Sequence, residues 1–350
     1  MADPSKLFWS CQQGDDWPNS LDICELMVEV FGVIANFTVT IVLFLLRVEK
    51  SEVLALLRVL PSSCPVSTVI DFLHDVGPPS SNTGKIYFDG LVCLFWSSRF
   101  LYWYSKVHVY HSAVAFAHNR AFKLLQLRYY RLTTERRRLT AYMLFAFIGS
   151  FLAAVPQLLG AQPQVKNCAC ASPIGDLVVL SVVYAHSYLM VAFFAIIYPA
   201  LLVYISIALL LRLWKSTTMG TPMGEDEMDK LAFPDTLSPS EDSLTIHSNP
   251  GDLQQRRIAA HSDRSDWPAS FCIKPLTVAY IATFTYDAVY QLLSATGTLT
   301  YVIQSPRQTF GEILLIFFTA LVPLILFFHI PAMRSVIYCV HKKRNAAGIN

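Results

Sequence analysis

Long apolar runs, several close to the roughly 20 residues that carry an α-helix across a bilayer, constrain this chain more than any other feature. Hydrocarbon offers no water to satisfy backbone N–H and C=O groups, so such runs fold as helices. The runs predict spans at Leu26–Leu46, Val53–Val76, Asp89–Ala117, Leu139–Gly160, Leu177–Trp214, Ala269–Thr296 and Phe310–Ile330. A large soluble core is the competing explanation for a chain that is 54% hydrophobic and 15% charged. Ordinary soluble domains carry about 25% charged residues, and here the apolar residues are grouped at span length, which decides for a membrane. The second and third spans are the most polar. Pro61, Pro65, Asp71, His74 and Asp75 lie in one, and Arg99, Lys106 and His108 in the other. Polar groups at that depth are costly in lipid and are expected to face a bundle interior; on hydropathy alone a five- or six-span reading stays open.

Basic residues set the topology. Arg47 and Lys50 follow span one, and seven arginines and lysines from Arg120 to Arg138 lie between spans three and four. Arg212 and Lys215 follow span five, and Lys342, Lys343 and Arg344 close the chain. The opposite connections carry only Lys85, Lys166 and Arg307. With seven spans every basic cluster falls on one side, so the positive-inside rule puts the N-terminus outside and the C-terminus in the cytoplasm. The expected organisation is an extracellular segment over 1–25, helices one to five over 26–214, a cytoplasmic loop over 215–268, helices six and seven over 269–330, and a tail over 331–350. The first segment lacks a basic stretch leading into an apolar one, so no cleavable signal peptide is expected. The 215–268 stretch is rich in Ser, Thr, Pro, Asp and Glu and is expected to be disordered, with too little apolar surface to fold.

No GxSxG, HExxH, Walker A or dinucleotide-binding fingerprint occurs, so neither enzymatic activity nor a cofactor is expected. His108 and His111 lack a matching acidic set and no metal site is expected; nucleic acid is not an expected partner. On span three, Arg99, Tyr102, Trp103 and Lys106 recur at i, i+3, i+4 and i+7 and should share one helix face. Glu29 and Asn36, seven residues apart, should likewise point inward together.

The run from Ile86 to Leu124 resembles the third helix of rhodopsin-like G-protein-coupled receptors, and specifically a lineage of orphan receptors found in flatworms. Asp89, Leu91, Val92, Cys93, Trp96, Tyr102, Trp103 and Arg120 stand where that lineage has D-x-L-V-C-x-x-W, Y-W and a closing arginine. Thr285-Tyr286-Asp287, the TYVIQSP run at 300–306 and the run from Val322 to Ile337 match as well. The interval from Cys93 to Arg120 is longer than the family's. The resemblance implies an all-α fold, a seven-transmembrane helix bundle with a short amphipathic membrane-surface helix after the last span. It also implies a multi-pass plasma-membrane receptor that transduces an extracellular peptide or small-molecule ligand to a heterotrimeric G protein. The basic face between spans three and four can also meet anionic membrane lipids.

Carried over residue by residue, the resemblance gives Arg120 the G-protein-coupling role, with Asn119 where the family has an acid that restrains the arginine. Asn36 takes the place of the first-helix asparagine that bridges neighbouring helices. Pro323 matches the proline of the seventh helix, while Val322 and Leu326 replace its asparagine and tyrosine, and span six has no C-W-x-P. Cys64 falls where the family has a sodium-binding aspartate, unless Pro61 and Pro65 shift the helix so that Asp71 takes that role. Cys93 is expected to bridge to Cys168 or Cys170 in an oxidising outer environment, and Cys339 is a candidate for palmitoylation. Amine receptors carry an aspartate where this chain has Tyr102 (or Phe100, aligned from Cys93), and opsins a lysine at Ile316, so neither a protonated amine nor retinal is the expected ligand. Arg99 and Lys106 would suit a carboxylate-bearing ligand, or else pair with Asp71, Asp287 or Glu312 inside the bundle. His186, Asp287, Tyr290, Gln291 and Glu312 complete the expected lining. Two other readings share the sequence: an uncoupled decoy or pseudoreceptor on the same fold, for which the lost motifs argue, and a transporter or channel, which would be expected to show repeat symmetry that is not found.

Overall fold

A computed structural model describes residues 9–11, 19–46, 51–77, 83, 85–125, 134–163, 168–170, 177–219, 228–229, 231, 269–303 and 305–334. Cys339 and most of the 215–268 connection lie outside these residues, as do the side chains of Cys168 and Cys170. The described chain is almost wholly helical. Its elements are α1 (Ser20–Leu45), α2 (Ser51–Val76), α3 (Ile86–Val92), α4 (Phe100–Leu124), α5 (Glu135–Ala154), α6 (Leu177–Met190), α7 (Tyr198–Met219), α8 (Ile273–Ala295) and α9 (Pro306–His329). Two pairs of three-residue strands interrupt the expected all-α pattern. In one, β1 (Trp9–Cys11) runs parallel to β4 (Tyr301–Ile303); in the other, β2 (Ala161–Pro163) runs antiparallel to β3 (Cys168–Cys170).

Among the described residues five helical stretches are long and apolar enough to cross a membrane: Ser20–Leu45, Ala55–Val76, Arg136–Leu159, Tyr184–Lys215 and Pro306–His329. They present large apolar side chains outward, among them Met27, Phe31, Ile34 and Ile41 on α1, and Phe147, Ile148 and Leu152 on α5. A belt of that extent is not tolerated in water and fits hydrocarbon. The chain is therefore a helical membrane protein. The two long helices outside this set, α4 and α8, carry more polar residues, and burial explains why they can. Nineteen of the 25 residues of α4 are buried, against six of the 26 of α1. A helix enclosed by its neighbours is not selected for an apolar face toward lipid. α4 packs on α2, α5 and α7, while α1 lies against α9 and α2, and α8 against α7 and α9.

Several sequence expectations need correction. The first helix starts at Ser20 rather than Leu26, because Asn19 and Asp22 form a reciprocal capping box that satisfies the first backbone donors. Glu25, assigned by apolarity to the segment outside the span, is therefore inside a helix. Span three is not one helix. After α3 a π-helical turn, Cys93–Ser97, leads to Arg99 at φ 61° in the left-handed region, and α4 then continues to Leu124, beyond the expected Ala117. A π turn holds more residues per turn than an α-helix, so Cys93 and Arg120 do not share one continuous α-helical register. Ser98 restarts the helix: its hydroxyl accepts from the Phe100 N–H at 3.2 Å and donates to the Leu94 carbonyl. Arg99 consequently stands at the break and not on the α4 face shared by Tyr102 and Lys106. Span five contains a second π turn, Val191–Ile197, between α6 and α7, and α7 runs past Trp214 to Met219. Within the connection expected to be disordered, Met228 and Leu231 are buried, and Asp229 accepts the Ala269 N–H at 3.1 Å just before α8. A polar average over 215–268 had hidden this local apolar pair.

The polar side chains on the buried stripe of α1 are Glu25, Glu29 and Asn36, with Gly32 between them. Asn36 donates to Thr68 on α2 at 2.9 Å, and Thr40 donates to the Pro61 carbonyl at 2.9 Å. That second bond reaches the part of α2 where Pro65 supplies no N–H for the Pro61 carbonyl. Gly32 allows the close approach, since a Cβ there would lie 3.1 Å from Thr68 Cγ2 and 3.5 Å from Ala320 Cβ. Gly32→Leu is expected to force α1 off α2 and α9 and to cost about 1–3 kcal/mol. The readout is a lower thermal midpoint of the detergent-solubilised protein, with Gly32→Ala giving a smaller drop. An unchanged midpoint in Gly32→Leu would refute the close-packing argument.

Candidate functional site

Three helices bring charge into the bundle at the end where α1 begins. Lys106 on α4 donates to Asp71 Oδ2 on α2, and the two side chains are 1% and 0% exposed. Arg99 Nη1 meets Glu312 Oε1 on α9 at 2.5 Å, and Gln308 Nε2 donates to the same oxygen at 2.7 Å. Between the two cations lies the Tyr102 ring, 4.4 Å from the Arg99 guanidinium carbon and 5.4 Å from Lys106 Nζ. Trp103 packs edge-on against Tyr102 at 5.5 Å. The left-handed backbone of Arg99 costs of order 1–3 kcal/mol for a side chain other than glycine. The ion pair and the aromatic face hold it there.

Of the two sequence alternatives for Arg99 and Lys106, the structure has them paired within the bundle, with Glu312 and Asp71. The other residues expected to line a cavity are divided. Asp287 accepts from Gln291 Nε2 at 2.8 Å along α8, and Tyr290 Oη accepts the Val302 N–H at 3.3 Å. His186 is turned toward α5, its Nε2 2.8 Å from the Ala153 carbonyl. Arg99, Tyr102, Trp103, Lys106, Asp71 and Glu312 thus form one constellation, while His186 belongs to a helix–helix contact. Glu25 is not among the residues to which the sequence points, and Asp75 is expected only to face the bundle interior; both belong to the same end of the bundle. Their spacing to Glu29 and Asp71, four residues on one helix, was the available signal.

Cys93 is disulfide-bonded. The π turn that contains it packs against β2, whose partner strand β3 carries Cys168 and Cys170. Cys64 is buried and donates to the Leu60 carbonyl at 3.3 Å, so the position carries no acid; the acid of α2 engaged with α4 is Asp71, two turns along.

The middle of the bundle is aromatic and apolar. Tyr110 stacks on Phe318 at 4.7 Å and meets Tyr280 and Phe284 edge-on at 5.1 and 5.2 Å. Val322, Pro323 and Leu326 are buried on α9. At the far end of α4, Arg120 is 2% exposed, with its guanidinium 5.9 Å from the Phe116 ring. Asn119 accepts from Arg138 Nε at 3.2 Å, and Arg138 also lies 4.2 Å over the Phe122 ring. His118 Nδ1 and the Tyr142 hydroxyl are 2.5 Å apart. Asn119 thus ties α4 to α5. No protein-family model matches this chain, and no curated protein matches it.

Removing one member of a buried ion pair strands the other, at about 3–5 kcal/mol, whereas replacing both with apolar residues is often neutral. Lys106→Met and Asp71→Leu are each expected to lower the thermal midpoint strongly, and the double variant to recover much of the loss. A double variant that loses the sum of both would show that the pair is not the unit of stability.

Proposed function

We propose that the chain is a rhodopsin-like G-protein-coupled receptor. In this reading seven helices cross the plasma membrane with the N-terminus outside, α6 and α7 form one span, and no enzymatic step is involved. The observation that carries it is Arg120, an arginine almost wholly buried at the end of the most enclosed helix. A guanidinium is permanently charged and offers several donors in a planar fork. It is well placed to meet backbone carbonyls of an entering G protein once the surrounding helices part. The Asn36–Thr68 bond between α1 and α2, the disulfide at Cys93 and the enclosure of α4 support the same reading. An extracellular ligand, a peptide or a small molecule, acts by favouring the helix arrangement in which that end is open. For a carboxylate-bearing ligand the accessible cation is Arg99, whose side chain is 15% exposed against 1% for Lys106; the ligand would exchange with Glu312.

A second reading, an uncoupled decoy on the same fold, is favoured by the closely packed aromatic middle. Cys64, Val322 and Leu326 put apolar or weakly polar groups where the resembled family has polar switches, and all three are buried.

G-protein sensors in cells separate the two. Wild type is expected to give a basal signal that Arg120→Ala abolishes at matched surface display. An equal, non-zero signal in both would remove Arg120 from coupling, and silence in both would favour the decoy. Asn119 leaves Arg120 without an adjacent acid, so Asn119→Asp, flanked by Arg120 and Arg138, is expected to lower basal signal. An unchanged level would remove that argument.

A further inference from the structure

Two pairs of carboxylates face each other across the α1–α2 interface. Glu25 and Glu29 are four residues apart on α1, and Asp71 and Asp75 four apart on α2, so each pair lies on one helix face. Carboxylate oxygens of Glu25, Glu29 and Asp75 all lie within 4.8 Å of one another. Glu25 is 6% exposed and Glu29 fully buried, while Asp75 sits at the rim with 28% of its side chain exposed and His74 Nδ1 at 3.6 Å. Such a cluster needs compensating positive charge. The cations beside it are Arg99 and Lys106, and each is already engaged by a carboxylate, Glu312 and Asp71.

The decisive feature is Glu29. Neither of its carboxylate oxygens has a hydrogen-bond partner among the described residues, and Asp71 Oδ1 is unpartnered as well. An unsatisfied buried carboxylate is among the most costly groups a fold can hold. Here its oxygens converge with those of two other acids instead of being scattered. We propose that Glu25, Glu29 and Asp75 bind a divalent cation of the calcium class between α1 and α2.

The dimensions fit. Calcium takes oxygen ligands at about 2.3–2.6 Å, so oxygens on opposite sides of one ion stand about 4.6–5.2 Å apart. Magnesium, at about 2.0–2.1 Å with strict octahedral demands and a reluctance to shed water, suits three converging carboxylates less well. Asp75 at the rim gives the ion an entry from solvent, and Glu29 closes the inner side. An ion held there would tie the start of α1 to the end of α2. This site is separate from the Cys64 position, where the resembled receptors bind sodium, and it stands whether or not the chain couples to a G protein.

The test uses the full-length protein in lipid nanodiscs, with calcium binding measured by equilibrium dialysis of the radioactive ion and stability by thermal unfolding. Wild type is expected to bind one ion per chain saturably, with a thermal midpoint that rises as calcium is added. Glu29→Gln and Asp75→Asn are each expected to weaken binding at least tenfold. Asp89→Asn, a carboxylate outside the cluster whose Oδ1 accepts from Thr83, is expected to bind like wild type. Should Glu29→Gln fail to fold, Asp75→Asn at the exposed rim decides. The proposal is overturned by the absence of saturable binding in wild type, or by wild-type affinity in the folded variants. A midpoint that follows pH but not calcium would overturn it too, by showing that the carboxylates hold protons instead.

Discussion

The ammonium of Lys106 is buried inside the bundle near the end where α1 begins, and the position of α4 follows from how that charge is paired. A buried charge is costly unless it is paired, and Asp71 supplies the carboxylate from α2. The pair fixes the rotation of α4 against α2, since either helix turned by one residue would leave both charges stranded. Ser105 donating to Ser67 at 3.3 Å, one residue before Lys106, extends the same contact. Tyr102 follows from that register, and the left-handed Arg99 meets its ring from the break. The aromatic ring lies against both cations, and the guanidinium reaches Glu312 on α9. Four helices are thereby keyed to one another, because α1 packs on α2 and α9 through Gly32 and Asn36.

Much of this was legible in the sequence because hydrocarbon leaves few options. Apolar runs locate the helices that face lipid, so α1, α5 and α9 lie close to where hydropathy puts them. The same logic fails where a helix does not face lipid. α4 has the composition of a partly polar segment because its neighbours, not lipid, surround it. Local geometry was the other blind spot. The π turn at Cys93–Ser97 and the left-handed Arg99 depend on the Ser98 hydroxyl competing with the backbone ladder, a choice that periodicity cannot reveal. The strict i, i+3, i+4, i+7 spacing put Arg99 on a helix face that the break removes. The charged constellation itself was half visible. Asp71 and Glu312 were among several possible partners for the cations, but the convergence of Glu25 on Glu29 and Asp75 required knowing that α1 begins at its capping box, before the apolar run.

The two ends of α4 are chemically distinct, and the layer between them is largely aromatic. One end holds the ion pairs of Lys106 and Arg99; the other holds Arg120, with Asn119 engaged by Arg138 of α5. Tyr110, Phe318, Tyr280 and Phe284 fill the space between as a closely packed aromatic group drawn from α4, α8 and α9. The Tyr280 hydroxyl donates to the Phe194 carbonyl in the second π turn at 2.9 Å, which ties α8 to that irregular stretch. A π turn leaves carbonyls displaced from the α-helical ladder, and here a tyrosine on a neighbouring helix takes one of them.

Close-packed aromatic layers rearrange between discrete arrangements and do not bend continuously. If the chain is the receptor proposed above, a disturbance at Arg99 and Glu312 would reach Arg120 as a shift of whole helices, with α8 or α9 sliding past Tyr110. In the receptor reading this replaces the polar relay that Cys64, Val322 and Leu326 no longer supply. It also ties the outcome to the break at Arg99. The interruption separates the long α4 from α3 and the disulfide at Cys93. The strain stored at φ 61° is held by the ion pair with Glu312, which in the receptor reading is the pair a ligand would have to open. Exchange at Arg99 would release the backbone restraint and the α4–α9 contact together, coupling a local electrostatic event to the orientation of the helix that carries Arg120.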